Sequence, residues 1–120
     1  MVPGIRTKRV YETPTKSDGL RILVDRVWPR GMTKERLRAD LWLKTVAPST
    51  ALRTWFGHDP SKWNAFKERY FFELDQNPEG VERLMEAIKN GPVTLLYSAK
   101  DAKCNQAVAL KEYLSARPRS

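Results

Sequence analysis

The sequence predicts an α/β domain, a short and mainly parallel sheet flanked by helices. Two dense apolar runs, 20–28 (LRILVDRVW) and 92–98 (PVTLLYS), are bounded by turn residues. That pattern suits strands buried on both faces. Between them lie segments whose apolar residues recur three and four apart, the helical period. Strands separated by helices need crossover connections, which favour parallel pairing. At 120 residues the chain has the length of one domain. That domain is expected to span 1–120, with flexible tails at 1–4 and 117–120.

Residues 5–12 alternate weakly and read as a short strand at a sheet edge. The cluster 13–19 (TPTKSDG) is a turn that closes a hairpin or carries a longer loop. Pro29 and Gly31 end the apolar run at 20–28. Thr33 can cap a short helix to about Leu37. Residues 41–46 (LWLKTV) fit strand or helix. Pro48-Ser49 opens a short helix with Leu52, Trp55 and Phe56 on one face, and Gly57 stops it. Asp59-Pro60 and Asn77-Pro78 are helix starts, because each joins a capping side chain to a proline that sacrifices no intrahelical bond. Trp63, Phe66, Tyr70, Phe71 and Leu74 form the first stripe; Val81, Leu84, Met85 and Ile88 form the second. Asn90-Gly91 supplies a left-handed stop. A last helix at about 104–116 buries Ala107, Leu110 and Leu114. The four tryptophans are expected mostly in the core.

Composition narrows the function. No apolar run approaches the roughly 18 residues of a membrane span. One cysteine, Cys104, excludes an internal disulfide framework and a cysteine-rich zinc site; one histidine, His58, excludes a His-based metal triad. No metal or cofactor motif is present. The N-terminus lacks an apolar signal segment, so a reduced, cytoplasmic setting is expected. The net charge is +8, and residues 1–50 carry 11 basic against 5 acidic side chains. Such a field concentrates anions.

Ligands of open α/β sheets collect beyond the carboxyl ends of the strands. Two strand exits are polar here. The first runs from Asp25 through Arg26, Trp28 and Arg30, two arginines stiffened by Pro29 and able to fork onto a phosphate or carboxylate. The second runs from Ser98 through Lys100 and Asp101 to Asn105 at a helix start. Arg26 and Arg30 serve equally well in a salt-bridge network with Asp25, Asp40 or Glu73, and Asp101 and Asn105 as a cap and a loop bond. His58 is placed to carry a proton or to bond across its turn. Cys104 is either a helix-start thiolate or an inert thiol.

These blocks resemble the YeaO-like branch of the domain-of-unknown-function family 488, from about Arg6 to Leu114. The family's D-R-x-W-P-R-G matches Asp25, Arg26, Trp28, Pro29, Arg30 and Gly31. Its A-P-S-x-x-L-R matches Ala47, Pro48, Ser49, Leu52 and Arg53. Its W-F-x-H matches Trp55, Phe56 and His58, and its Y-x-x-E-L matches Tyr70, Glu73 and Leu74. The last strand and loop match Tyr97, Ala99, Lys100, Asp101 and Asn105. Another branch places a cysteine-containing loop and a later Cys-His-Arg after this strand. Tyr97-Ser98 and Cys104-Asn105-Gln106 stand here instead, which argues against a cysteine-based chemistry.

The resemblance implies that both exits face one pocket together with Ser49, Arg53 and His58. The expected function is binding of a small anionic ligand, phosphate-bearing or carboxylate, with turnover left open. Asp25, Arg26, Trp28, Arg30, Ser49, Arg53, Lys100 and Asn105 would bind it, and His58 or Asp101 would carry a proton. The alternatives are nucleic-acid binding through the basic surface, and a protein-interaction module using aromatics such as Trp28 or Phe72.

Overall fold

In the computed structural model, residues 4–116 are described. Strand β4 (Val93–Tyr97) is buried at every position and lies between β1 (Ile5–Arg9) and β2 (Leu20–Leu23), with β3 (Leu41–Trp42) beyond β2. All three pairings are parallel, with Ile5 and Leu20 both opposite Val93. Since β4 separates β1 from β2, the cluster 13–19 carries a longer loop with a 3-10 turn at Lys16–Asp18 rather than a hairpin. The segment 41–46 is both of its alternatives in succession, two residues of strand and then a 3-10 turn at Lys44–Val46. The second strand is shorter than expected and leaves the sheet after Leu23.

The helices are α1 (Lys34–Leu37), α2 (Thr50–Phe56), α3 (Trp63–Asp75), α4 (Pro78–Lys89) and α5 (Gln106–Ala116). Thr33, Ser49 and Asn77 cap α1, α2 and α4 through side-chain oxygens. Asp59 caps a 3-10 turn at Pro60–Lys62 that runs into α3. α4 ends with Asn90 at φ −87°, still right-handed, and Gly91 at φ 149° makes the break. α5 begins at Gln106, two residues later than expected, because Asn105 caps it by accepting from Val108 N. Of the expected tails, 1–3 and 117–120 lie outside the described residues. Gly4 is tied down, its carbonyl accepting from Val93 N at 2.6 Å.

Alternate strand residues face opposite sides of the sheet. Ile22, Val24, Val93, Leu95 and Tyr97 join the large core with buried residues of α2 to α5. Leu23 and Leu96 meet a smaller cluster with Val10, Met32 and Leu37. Arg21 is also buried, and it is neutralised there. Its Nη1 donates to Asp18 at 2.5 Å, while Nε and Nη2 donate to Leu37 O and Nε also to Arg38 O. Burial alone would raise the Asp18 carboxyl. The bonds from Thr15, Lys8 and Arg21 outweigh it and hold Asp18 well below the usual carboxylate range. The bonds from Arg21 to the Leu37 and Arg38 carbonyls tie the end of α1 to the sheet.

None of the four tryptophans is fully buried. Trp42, Trp55 and Trp63 sit at the core margin with cations over their rings: Lys44 at 4.3 Å, Arg69 at 4.1 Å and Lys67 at 5.5 Å from the centroids. Several basic residues are therefore occupied in shielding aromatic faces. Among the described residues no helix is long and apolar enough to cross a membrane.

Candidate functional site

The chain leaves β2 toward the face of the smaller core, where Met32 and Leu37 pack, and leaves β4 toward the opposite face, where α5 packs. Adjacent parallel strands with connections diverging to opposite faces open a crevice at their carboxyl ends. A cleft of about 770 Å³ lies there. Asp25, Arg26, Trp28 and Arg30 from the β2 exit line it, with Lys100 and Asp101 from the β4 exit and Arg53 and His58 from α2 and its end.

Asp25 fastens the two exits together. Its Oδ2 accepts from Ser98 N at 3.0 Å and Ser98 Oγ at 2.6 Å, and its Oδ1 accepts from Gln106 Nε2. Asp25 is 6% exposed. Burial pushes its carboxyl above the ordinary range, opposed by the Ser98 bonds and by the charge of Arg53.

The arginines divide by role. Arg26 donates to Pro48 O at 3.2 Å and Ala47 O at 3.1 Å, so it braces the loop before α2. The expected salt-bridge partners are engaged elsewhere. Asp40 accepts from Arg21 N, and Glu73 accepts from Ser49 N and Oγ. Arg30, Arg53 and Lys100 have exposed side chains without a hydrogen-bond or ion-pair partner among the described residues. Five cationic side chains line the cleft against two carboxylates.

Trp28 is half-buried, donates to Met32 O at 2.6 Å and meets Trp42 edge to face at 5.4 Å, so it forms the wall of the cleft. His58 is exposed at φ 56°, a conformation few non-glycine residues adopt. The Asp101 carboxylate accepts from Lys103 N and Cys104 N. The Cys104 and Lys103 amides, in that order, hold its proton affinity down, which makes it a poor base near neutral pH. Cys104 is pushed the other way. Burial and the nearby Asp101 charge raise its thiol, so it is no activated thiolate.

Ser49 and Asn105 stand apart from this cleft. Ser49 caps α2 and is gripped by Glu73. Asn105 is buried, caps α5 and donates to Asp101 O at 2.8 Å. Sequence reasoning missed Arg9, Tyr11 and Gln106. Arg9 donates to Ser98 O and Ala99 O and lies 4.7 Å from the Tyr11 ring, whose hydroxyl donates to Arg30 O. In a parallel sheet β1 ends beside β4, so its exit is a third contributor to the rim. The turn after Arg9 was the available signal.

The fold and the cleft define a small parallel α/β protein with a cationic crevice at its strand ends. The chain belongs to the DUF488 family: residues 4–119 match the model described as the Inactive DUF488-N3 subclade. It is 46% identical over 111 residues to the uncharacterized protein YeaO of Escherichia coli, covering 92% of this chain and 96% of that one. Uncharacterized proteins of Mycobacterium tuberculosis and Mycobacterium bovis are 36% identical over 113 residues, covering 94% of this chain and 95% of theirs. No solved structure matches.

Proposed function

We propose that this chain is a binding protein for a small anion, phosphate-bearing or carboxylate, held in the cleft at the strand ends. The observation that carries the reading is the trio Arg30, Arg53 and Lys100, which line one cleft from three elements with no hydrogen-bond or ion-pair partner among the described residues. The two carboxylates of the cleft, Asp25 and Asp101, are hydrogen-bonded to Ser98, Gln106 and the Lys103 and Cys104 amides and leave a cationic excess, which an anion relieves. Arginine forks also match the geometry of phosphate and carboxylate oxygens. Arg26 and Arg9, committed to backbone carbonyls, shape the loops that present the trio. Asp25 keeps the two exits in register.

Binding without turnover is favoured by three features. The family description reads inactive. Asp101 is a capped carboxylate of low proton affinity, and His58 has no hydrogen-bond partner among the described residues to orient it. A pocket is favoured over a broad nucleic-acid face because several basic side chains are already engaged, Arg21 in its buried pair with Asp18 and Lys44 and Arg69 over tryptophan rings. A single free thiol fits a reducing, cytoplasmic setting.

Thermal unfolding with inorganic phosphate, sulfate and acetate tests the reading. An anion at a hundred times its Kd stabilises by about 2.7 kcal/mol. That raises the midpoint of a domain of this size by roughly 8–15 °C. Arg30→Ala and Arg53→Ala are expected to fold and lose most of the shift, while Lys111→Ala, exposed on α5 and outside the cleft lining, keeps it. Absence of a shift with every anion, or an equal shift in all variants, overturns the assignment. A salt-sensitive gel shift with DNA or RNA that survives Arg30→Ala would favour the surface reading instead.

A further inference from the structure

A second cavity of about 310 Å³ adjoins the main cleft, and Pro48, Arg53, His58 and Gln106 line both. It lies among α2, α3 and the start of α5. Its buried lining is Phe56, Phe66 and Asn105, with the half-buried Cys104 beside them, and the Asn105 side chain is already committed to Asp101 O and Val108 N. The two phenyl rings are stacked, with centroids 4.4 Å apart and planes inclined by 26°. Its only charge-bearing residues, Arg53 and His58, are the ones it shares with the cleft. Thr50 and Thr54 stand on its edge, their hydroxyls without a hydrogen-bond partner among the described residues.

We infer that the ligand is a small anion carrying a planar ring, its charged group at Arg30, Arg53 and Lys100 and its ring in this side cavity. The inference rests on the anion-binding reading and adds the chemistry of the ligand's other half. Size supports it. An apolar cavity of about 150 Å³ accepts benzene, so the side cavity accommodates one ring or two fused rings. The wall chemistry agrees, because buried phenyl rings favour offset or edge contacts with another ring. Polarity sets the orientation. The arginine at the junction holds the anion outside, and the neutral interior receives the apolar part. The two threonine hydroxyls can meet a ring nitrogen or a ring substituent.

The test compares inorganic phosphate, methyl phosphate and phenyl phosphate by calorimetric titration of the intact chain. Phenyl phosphate is expected to bind roughly tenfold more tightly than methyl phosphate, from the extra apolar area it buries. Thr54→Trp, whose indole would occupy the cavity, is expected to erase that ratio. Cys104 supplies an independent readout. Phenyl phosphate should slow its modification by a thiol reagent, and methyl phosphate should not. Should Thr54→Trp fail to fold, the ratio and the Cys104 protection in the parent decide. Phosphate binding with equal affinity for the two esters overturns this inference and leaves the anion site standing. No binding of any of the three overturns both.

Discussion

Replacing Asp18 by Asn keeps the shape of a buried side chain and removes its charge, leaving Arg21 ionised with no counter-ion. Both residues are about 95% buried. Removing one member of such a pair costs about 3–5 kcal/mol, because the surviving charge stays desolvated. That is a large part of the roughly 5–15 kcal/mol that holds a domain together. Lys8, the other cation on Asp18, is partly exposed and adds little. In urea, with a slope of about 1.5 kcal/mol per molar, the midpoint should fall by roughly 2–3 M. Adding Arg21→Met should cost little more, because the orphaned charge goes with it, although the Leu37 and Arg38 carbonyls lose their donor. The pH dependence has a definite sign. The folded state holds the Asp18 carboxyl below its unfolded value, so its stabilisation is complete above about pH 4 and fades as pH falls through the folded value. The gap between parent and variant should therefore narrow only in acid. A loss under about 1 kcal/mol, or fully additive losses in the double variant, would refute the assignment of Asp18 as the counter-ion of Arg21.

Three further outcomes are expected. Carboxyl carbon NMR should give Asp25 a higher titration midpoint than Asp59 and Asp101, since burial raises the first while hydrogen bonds led by Ser61 and Cys104 lower the others; the reverse order would contradict the Asp25 bridge. Tyr70→Phe removes a buried 2.5 Å bond to Val46 O and should cost about 1–3 kcal/mol in chemical denaturation, with no loss meaning that the carbonyl finds another donor. Gly19→Ala should cost about 2–4 kcal/mol, because the residue has φ 65° and a Cβ would collide with the Pro92 carbonyl; a neutral result would place the β2–Pro92 contact wrongly.

The elements that were plain in the sequence are those whose environment is uniform. β4 is buried throughout, so its apolar run is uninterrupted, and α4 is half-buried, so its stripe is regular. Elements set by distant contacts were hidden. β3 is two residues long and exists because Leu23 and Trp42 come into register across the sheet. Arg21 sits in an apolar run whose pattern cannot reveal that a buried cation finds Asp18 and the end of α1. Among the residues lining the cleft, Asp25, Arg30 and Lys100 were readable because turn residues and polar loops mark where strands stop, whereas Arg53 and His58, on and just after α2, were joined to them by the family resemblance. Ser49 and Asn105 share the same signals, yet their side chains are consumed in capping. A one-dimensional pattern shows a cap and a ligand contact alike.

The strand order also governs how the molecule can assemble. β1 and β2 are separated by only ten residues of sequence, yet they share no hydrogen bond, and each waits for a strand that begins at Val93. Pairing Ile5 with Val93 closes a loop of about three quarters of the chain, and such non-local pairing slows folding. Until β4 inserts, Ile22 and Leu23 have only the two-residue β3 beside them, and the crevice lacks the side that Ser98, Lys100 and Asp101 supply. Sheet and core are therefore completed from the carboxyl-terminal quarter of the chain, which also brings the β4 exit to the crevice.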